Sequence, residues 1–147
     1  MALIENKKVF FNYEILEKFE AGIELLGFEV KALRRGMGSL EGAHVVIRGG
    51  EAFMTGATVA PYQPNNTPAD YDPKRNRRLL LTKEEIARLA GLESKLGLTI
   101  VPISVYNKGR KLKVEVASVR GKKKFDKRDT IKKRESDREI RRTLKNQ

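Results

Sequence analysis

The chain has 147 residues, no cysteine, and a formal net charge of +12 at pH 7. This composition excludes disulfides and thiolate metal sites, and we find neither a signal peptide nor the roughly 18 consecutive apolar residues that span a membrane, so we expect a cytoplasmic protein. The excess of Lys and Arg favours nucleic acid over an anionic membrane surface as the partner, because no basic stretch carries the aromatic face that membrane binding requires.

The first third of the chain predicts a strand followed by a short basic helix. Residues 9–15 are rich in aromatic and β-branched side chains, which indicates a first strand, whereas residues 14–19 do not decide between strand and helix. After a break at Gly27, apolar residues recur at helical spacing from Val30, and Gly36 follows as a C-cap. The helix ends in basic residues, where its dipole favours cations.

The middle of the chain predicts a hairpin and a long loop. Residues 43–60 contain two strand-like runs around Gly49 and Gly50, a two-residue turn that tolerates positive φ. Residues 61–76 hold four of the five prolines. A loop of this length is usually functional or disordered.

The clearest helix begins at Thr82, where the sequence Thr-Lys-Glu-Glu predicts a capping box. Its buried stripe is expected to contain Ile86, Leu89, Leu92 and Leu96. Gly97 ends the helix, and residues 98–106 and 111–119 predict two strands joined by a second hairpin turn. Pro102 indicates an edge position or an irregularity within its strand.

These elements predict a mainly β protein with about six short antiparallel strands and about three helices. Our first choice is a small OB-like barrel, and a two-layer α+β sheet is the alternative. We place the folded domain at residues 1–120 and a basic C-terminal tail at residues 121–147.

The tail holds twelve Lys or Arg and five Asp or Glu among its 27 residues. Its few apolar residues are too small a surface to offset the entropy of ordering it alone, although its composition suits a helix. We predict a tail that is disordered when free and helical against a polyanion, where counterion release supplies the affinity. A solvated charged terminus is the alternative, but Phe125 among basic residues adds a stacking surface to the charge.

The sequence offers little catalytic chemistry. His44 is the only histidine, it lies in a predicted strand, and no P-loop, GxSxG or HExxH motif occurs, so we expect no enzyme, cofactor or metal site. Phosphate recognition remains, and a folded, partly duplex RNA is favoured because the few aromatic residues suit the core. Three basic clusters are candidates: Lys31, Arg34 and Arg35; Lys74, Arg75, Arg77 and Arg78; and Lys108, Arg110, Lys111 and Lys113.

Three long segments carry the most specific pattern in the chain. They read FEAGIELLGFEVKALRRG, DPKRNRRLLLTKEEI and VEVASVRGKKKFDKRDTIKKRE. Together with the lead-in Asn6, Lys7 and Lys8, their order and spacing resemble the SmpB family of bacterial tmRNA-binding proteins. The resemblance covers nearly the whole chain.

The resemblance implies an OB-like barrel that binds the tRNA-like domain of tmRNA and delivers this RNA to stalled ribosomes for trans-translation, which combines ribosome rescue with peptide tagging. The tail would enter the decoding centre and the message channel of the 70S ribosome and become helical there. Elongation factor Tu and alanyl-tRNA synthetase would be partners through tmRNA. We expect a monomer without catalytic activity of its own.

The resemblance also assigns residues. Glu20, Leu80 and Lys113 match motif positions tied to tmRNA binding, although Glu20 is otherwise an ordinary strand-end carboxylate and Leu80 is most simply a core residue. Glu20 would orient a neighbouring Arg or accept a hydrogen bond from the RNA. Phe125 stands where the family often carries His or Tyr, so only stacking carries over. The predicted tmRNA-binding set is Asn6, Lys7, Glu20, Lys31, Arg34, Arg35, Lys74, Arg75, Arg77, Leu80 and Lys113. The tail set expected on the ribosome is Lys122, Lys123, Lys124, Phe125, Asp126, Lys127, Arg128, Lys132 and Arg134.

Two other classes of function remain open from the sequence. One is a small RNA-processing enzyme that uses His44 with an acidic partner, and its weakness is the scarcity of groups that titrate near neutral pH. The other is a ribosome-associated structural protein, which would copurify with all ribosomes rather than with stalled ones.

Overall fold

The structure is a computed structural model that describes residues 2–63, 65 and 67–121. Within these residues, seven strands form one antiparallel sheet in the order β1-β8-β9-β2-β7-β5-β4, and β3 pairs with β6 in a separate two-stranded ribbon. In chain order the elements are β1 (Ala2–Glu5), α1 (Lys7–Asn12), β2 (Tyr13–Ile23), α2 (Gly27–Arg34), β3 (Gly38–Ser39), β4 (His44–Arg48), β5 (Glu51–Thr55), β6 (Thr58–Val59), β7 (Arg77–Leu80), α3 (Lys83–Leu96), β8 (Thr99–Lys108) and β9 (Lys111–Gly121).

The main core lies against the inner face of the sheet. In β9, Leu112, Val114 and Val116 are buried in this core and alternate with polar Lys113 and Glu115 on the outer face. This alternation is the period that a strand imposes on its two faces. Helices α2 and α3 contribute Leu33 and Leu89, among others, to the same core.

A second, smaller core lies on the outer face at one end of the sheet. Val9 of α1 packs there with Val101 and Ile103 of β8 and with Ala117 and Val119 of β9. Strand β9 is therefore buried on both faces toward its end, which explains its continuous run of small and β-branched residues.

The predicted mainly β class with three helices is confirmed, but the closed barrel is wrong. The sheet has two edges: β1 pairs only with β8, and β4 pairs only with β5 within the described residues. Strand β4 packs near β8, yet both edges of β8 are already taken by β1 and β9. No ladder can close there, and α3 packs against β4, β8 and β9 instead.

The predicted strand at residues 9–15 is also wrong over most of its length. Lys7–Asn12 forms α1, and β2 begins at Tyr13 and continues to Ile23, so residues 14–19 are strand. The aromatic residues of α1 favour a strand locally, but burying Val9 in the second core overrides that preference.

The remaining local predictions agree with the structure in part. Helix α2 begins at Gly27, where we predicted a break, and its C-cap is Arg35, with Gly36 directly after it. The predicted 43–60 hairpin ends at Thr55, because Thr58–Val59 forms β6 in the separate ribbon. Gly49 and Gly50 form the β4–β5 turn with φ of 58° and 75°, and the ladder of β8 is irregular beside Pro102. Thr82 and Gly97 cap α3 as predicted. Leu96 is wrong as a buried residue because it is 66% exposed. None of the helices within the described residues is long and apolar enough to cross a membrane.

Candidate nucleic-acid interface

Four residues on neighbouring strands form a row across the outer face of the sheet. Tyr106 of β8 is paired with Lys113 of β9. Lys113 is paired with Gly22 of β2, and Gly22 is paired in turn with Leu80 of β7. Residues that lie opposite each other in a ladder share a face, so this outer row presents one surface. Leu80 is 48% exposed, and it is therefore a surface residue rather than the core residue that the sequence favours.

Gly22 makes a notch in the outer row. A Cβ atom built at this position would lie 3.1 Å from the Cβ atom of Leu80. Any larger residue would therefore push against Leu80 and fill the space between it and Lys113. Glycine at this position keeps an apolar side chain and a cation accessible on either side of a bare stretch of backbone.

A hollow beside the notch brings together two of the three basic clusters. Its four cations are Arg34, Arg110, Lys111 and Lys113, and its apolar wall is made of Ile23, Leu25, Val30, Leu80 and Leu112. No carboxylate lines this cationic hollow, and none of the four cations forms an ion pair within the described part of the chain. The Arg34 Nη2 donates a hydrogen bond to the Arg110 carbonyl at 2.9 Å, and this bond joins α2 to the β8–β9 turn. The arrangement suits phosphate oxygens, which need cations that are not already neutralised.

Glu20 lies on the outer face next to the row. The Tyr106 hydroxyl donates to its Oε2 at 2.5 Å, and the Lys108 Nζ donates to its Oε1 at 2.7 Å. These hydrogen bonds, first from Lys108 and then from Tyr106, hold the pKa of Glu20 below its usual value. Burial, followed by the hydrogen bond to Glu20, raises the pKa of Tyr106. Glu20 therefore orients a Lys and a Tyr, rather than the Arg that we expected.

Helix α2 presents the first predicted cluster at its C-terminal end. Lys31, Arg34 and Arg35 are all exposed. The Arg35 guanidinium lies over the Tyr62 ring, 5.3 Å from its centroid, an arrangement that favours a cation. The helix thus places its basic end beside the cationic hollow, where Arg34 enters the lining.

The second predicted cluster is divided between the interior and the surface. Arg77 is fully buried, and its Nε and Nη2 donate to Glu29 Oε2 at 2.9 and 2.6 Å. Arg75 binds both oxygens of the same carboxylate. The Arg77 guanidinium also donates to the carbonyl of Ala57, before β6, and to two carbonyls of the loop before β7. A direct RNA contact by Arg77, which the sequence predicted, is incompatible with this burial.

The other two members of that cluster are exposed. Lys74 lies at the surface of the loop, where its backbone N–H donates to Asp72 Oδ1 at 2.9 Å. Arg78 lies on the outer face, with Nη1 3.2 Å from Glu24 Oε1 and Nη2 3.6 Å from Glu51 Oε1. Exposed ion pairs of this kind are weak, so a phosphate can replace either carboxylate.

Asn6 and Lys7 are separated from the cationic hollow. Asn6 is buried, and its Nδ2 donates to the carbonyls of Leu40 and Pro102 at 3.0 and 3.2 Å. The amide of Asn6 therefore joins the loop after β3 to β8, and its predicted RNA contact stays a prediction. Lys7 is exposed at the start of α1, on the part of the outer face that α1 covers.

Comparison with known proteins decides which of the predicted classes applies. A family model described as "SmpB protein" matches residues 3–146. The chain belongs to the SmpB family. The predicted resemblance is thereby confirmed.

Individual SmpB relatives support the assignment over the full length. The SsrA-binding protein of Paraburkholderia xenovorans (strain LB400) is 42% identical over 145 residues, which cover 99% of this chain and 98% of that protein. The SsrA-binding protein of Sulfurihydrogenibium sp. (strain YO3AOP1) is 48% identical over 140 residues, covering 95% and 91%. A chain of the solved structure described as "tmRNA-SmpB: a journey to the center of the bacterial ribosome" superposes with a TM-score of 0.68 and 42% identity, covering 82% of this chain and 84% of that one.

Sequence reasoning missed three residues that shape this SmpB surface: Gly22, Glu29 and Tyr106. The hairpin turn carried a usable signal for Tyr106, because pairing Lys108 with Lys111 places Tyr106 opposite Lys113. Gly22 and Glu29 had no comparable signal, since the partner of each comes from a distant part of the chain.

The structure describes His44 but not the predicted tail residues. The tail set, Lys122 to Arg134, lies outside the described residues. His44 is exposed in β4, and its Nε2 lies 3.1 Å from the Thr55 hydroxyl. Within the described residues no group of acidic or histidine side chains is arranged to hold a metal ion.

Proposed function

We infer that this chain binds tmRNA and acts as an adaptor that brings this RNA to the ribosome in trans-translation. The names of its SsrA-binding relatives and the tmRNA-SmpB description of its structural neighbour support the inference. The observation that carries it in this chain is the cationic hollow, where two basic clusters that are distant in sequence converge without a carboxylate in the lining.

The geometry supports a division of tasks on the outer face. Arg34, Arg110, Lys111 and Lys113 would hold phosphate oxygens, and the exposed Leu80 would contact an apolar edge of the RNA. Glu20 would keep Lys108 and Tyr106 in place, and its remaining lone pairs would accept a hydrogen bond from a ribose hydroxyl or a base amino group.

We propose a narrower set of RNA contacts. Lys31, Arg34, Arg35, Lys74 and Lys113 stay as candidate phosphate ligands because they are accessible at the surface. Lys7 stays as a candidate away from the hollow. Arg75, Arg77 and Asn6 are assigned to positioning the loops around the site, since their polar groups are bound within the protein.

The tail and the further partners are also proposals. The tail residues, Lys122, Lys123, Lys124, Phe125, Asp126, Lys127, Arg128, Lys132 and Arg134, would bind the decoding centre and the message channel of the ribosome. We propose a cytoplasmic monomer without enzymatic activity, which meets elongation factor Tu and alanyl-tRNA synthetase through tmRNA.

A gel-shift titration with the tRNA-like domain of tmRNA tests the proposed function. The wild-type protein should shift this RNA and leave it intact. Arg34→Ala and Lys113→Ala should each weaken binding and reduce the salt dependence by about one phosphate contact, because each removes one released counterion. Lys95→Ala, an exposed Lys on α3, is the matched control and should bind like the wild type.

Two results would contradict the proposal. Equal affinity of the two variants and the control would remove the cationic hollow from the RNA interface. Cleavage of the RNA by the wild-type protein, lost in His44→Ala, would support the RNA-processing enzyme instead.

A further inference from the structure

The outer face of the sheet continues beyond Leu80 to the edge strand β4. Arg78 of β7 is paired with Phe53 of β5, and Phe53 is paired with Val46 of β4. A second hollow lies over this part of the face, lined by His44, Val46, Arg48, Phe53, Thr55 and Asn76. We refer to it as the edge hollow. It shares no lining residue with the cationic hollow.

The lining chemistry of the edge hollow is that of a nucleobase site. Phe53 and Val46 are half-buried and present an aromatic ring beside an aliphatic side chain. Thr55, Asn76 and His44 supply polar hydrogen-bonding groups to the lining, and the Thr55 hydroxyl already contacts His44. Aromatic stacking with polar groups at the base edges is how proteins hold unpaired bases.

The charge in this hollow has one sign. Arg48 is the single Lys or Arg in the lining, and no Asp or Glu lines the hollow. Arg48 is exposed and forms no ion pair within the described residues. A guanidinium in this state is available to the phosphate that accompanies a stacked base.

The two hollows lie on one continuous surface. Phe53 is one strand over from Leu80 and displaced by two residues along the strand, which corresponds to a separation of about 8 Å. Arg78, held by Glu24 and Glu51, lies between them. The route from the cationic hollow to Phe53 therefore runs along the outer face past Leu80 and Arg78.

We propose that the edge hollow binds an unpaired nucleobase of the same tmRNA that occupies the cationic hollow, with Phe53 stacking on the base and Arg48 holding its phosphate. This inference rests on the proposed function. The edge hollow contains none of the residues that the sequence predicts to bind RNA, and its His44 was a candidate only for catalysis.

The test compares Phe53→Leu with Phe53→Tyr in the intact protein, using full-length tmRNA in a filter-binding titration. Phe53→Leu keeps an apolar side chain but removes the ring, so affinity should fall by about tenfold, within the range that loss of one stacked base produces. Phe53→Tyr keeps the ring and should bind within about twofold of the wild type. Arg48→Gln should weaken binding and lower the salt slope by about one contact.

Stability is measured on the same proteins, because Phe53 is half-buried. If Phe53→Leu lowers the melting temperature, the tmRNA affinity of Arg48→Gln decides the test. The Arg48 side chain is exposed, so its substitution leaves the core intact. Wild-type affinity for tmRNA in Arg48→Gln, or in a normally stable Phe53→Leu, overturns the inference.

The failure of this inference can be told from the failure of the proposed function. Lys113→Ala is the reference: if it weakens tmRNA binding while Phe53→Leu and Arg48→Gln do not, only the edge hollow is rejected. If the wild type itself does not select tmRNA over an unrelated RNA of equal length, the proposed function fails. If the edge variants keep tmRNA affinity but lose a ribosomal protein partner, the hollow is a protein interface and the inference is wrong.

Discussion

At the scale of single residues, Glu29 of α2 organises the charged interior of the protein. Its carboxylate is completely buried and receives hydrogen bonds from Arg75, Arg77 and the Tyr71 hydroxyl. Burial raises the pKa of this group, but hydrogen bonds from Arg75, the Leu26 amide and Arg77 outweigh that effect and lower it to about 2. Glu29 is therefore ionised in the folded protein and fastens the loop before β7 to α2.

This pKa shift predicts a loss of stability in acid. Glu29 has a folded pKa of about 2, below its ordinary value of 4.5. The stability that it contributes is therefore fully present above pH 4.5 and is lost as the pH falls toward 2. Urea unfolding at a series of pH values should show this loss, and Glu29→Gln should flatten the pH dependence in that window.

At neutral pH, Glu29→Gln should cost about 3–5 kcal/mol of unfolding free energy, because it leaves two arginines without their buried partner. Glu24→Gln is the matched control: it removes an exposed partner of Arg78 and should change the free energy of unfolding by less than about 1 kcal/mol. Equal effects of the two substitutions would contradict the assignment of Glu29 to the interior network.

The sequence could predict the basic clusters but could not tell which cations face the solvent. Arg75, Arg77 and Arg78 follow one another within four positions, and nothing local separates them. Their fates differ because the strand register turns Arg77 toward Glu29, which comes from a segment almost fifty residues earlier. Only the packing of α2 on the sheet decides which of these arginines face the solvent.

At the scale of elements, the local signals were sufficient wherever the element is stabilised by its own sequence. Paired glycines produced the β4–β5 turn, and the capping box at Thr82 produced α3. Helix α1 could not be predicted from local sequence, because it is short and no side-chain hydrogen bond caps its N-terminus. The burial of Val9 against β8 and β9 stabilises α1, and the local sequence pattern does not predict this tertiary contact.

The tail is the element with the most specific prediction. Changing Asp126, Lys127 and Arg128 together to Ala should leave affinity for tmRNA close to that of the wild type, because the cationic hollow is intact. The same change should abolish peptide tagging on ribosomes that hold truncated messages. A matched change of Asp137, Arg138 and Arg141 to Ala removes the same set of charges further along the tail and shows whether charge alone is required. A parallel loss of tmRNA affinity and tagging would make the tail an additional RNA anchor only.

At the scale of the whole molecule, sequence patterns could not predict whether the sheet closes into a barrel. Hairpin signals predicted about six antiparallel strands, whereas the described residues form nine. Whether two distant edges pair is a question of global geometry. Here β1 occupies the free edge of β8 and leaves β4 without a second partner in the described residues. The mainly β class was predictable, whereas the open sheet was not.

The division into a folded body and a tail predicts the behaviour of a truncated chain. A protein that ends at Gly121 keeps both cores and the cationic hollow, so it should unfold cooperatively at a temperature close to that of the full chain. It should still bind tmRNA, with a salt slope close to that of the full chain, because the cationic hollow is intact. An unfolded fragment, or one without RNA affinity, would mean that residues beyond Gly121 belong to the domain.

Strand β9 begins at the cationic hollow and ends at Gly121, which is paired with Tyr13 at the opposite end of β2. Strand β9 is eleven residues long, which at the usual rise amounts to roughly 30–35 Å from one end to the other. The sheet therefore sets a fixed distance between the cationic hollow, where the RNA would bind, and Gly121, where the tail begins. Because β9 is paired on both sides from Lys113 to Val119, two ladders fix this distance. Two sites on a ribosome can therefore be contacted together only if they lie about that far apart.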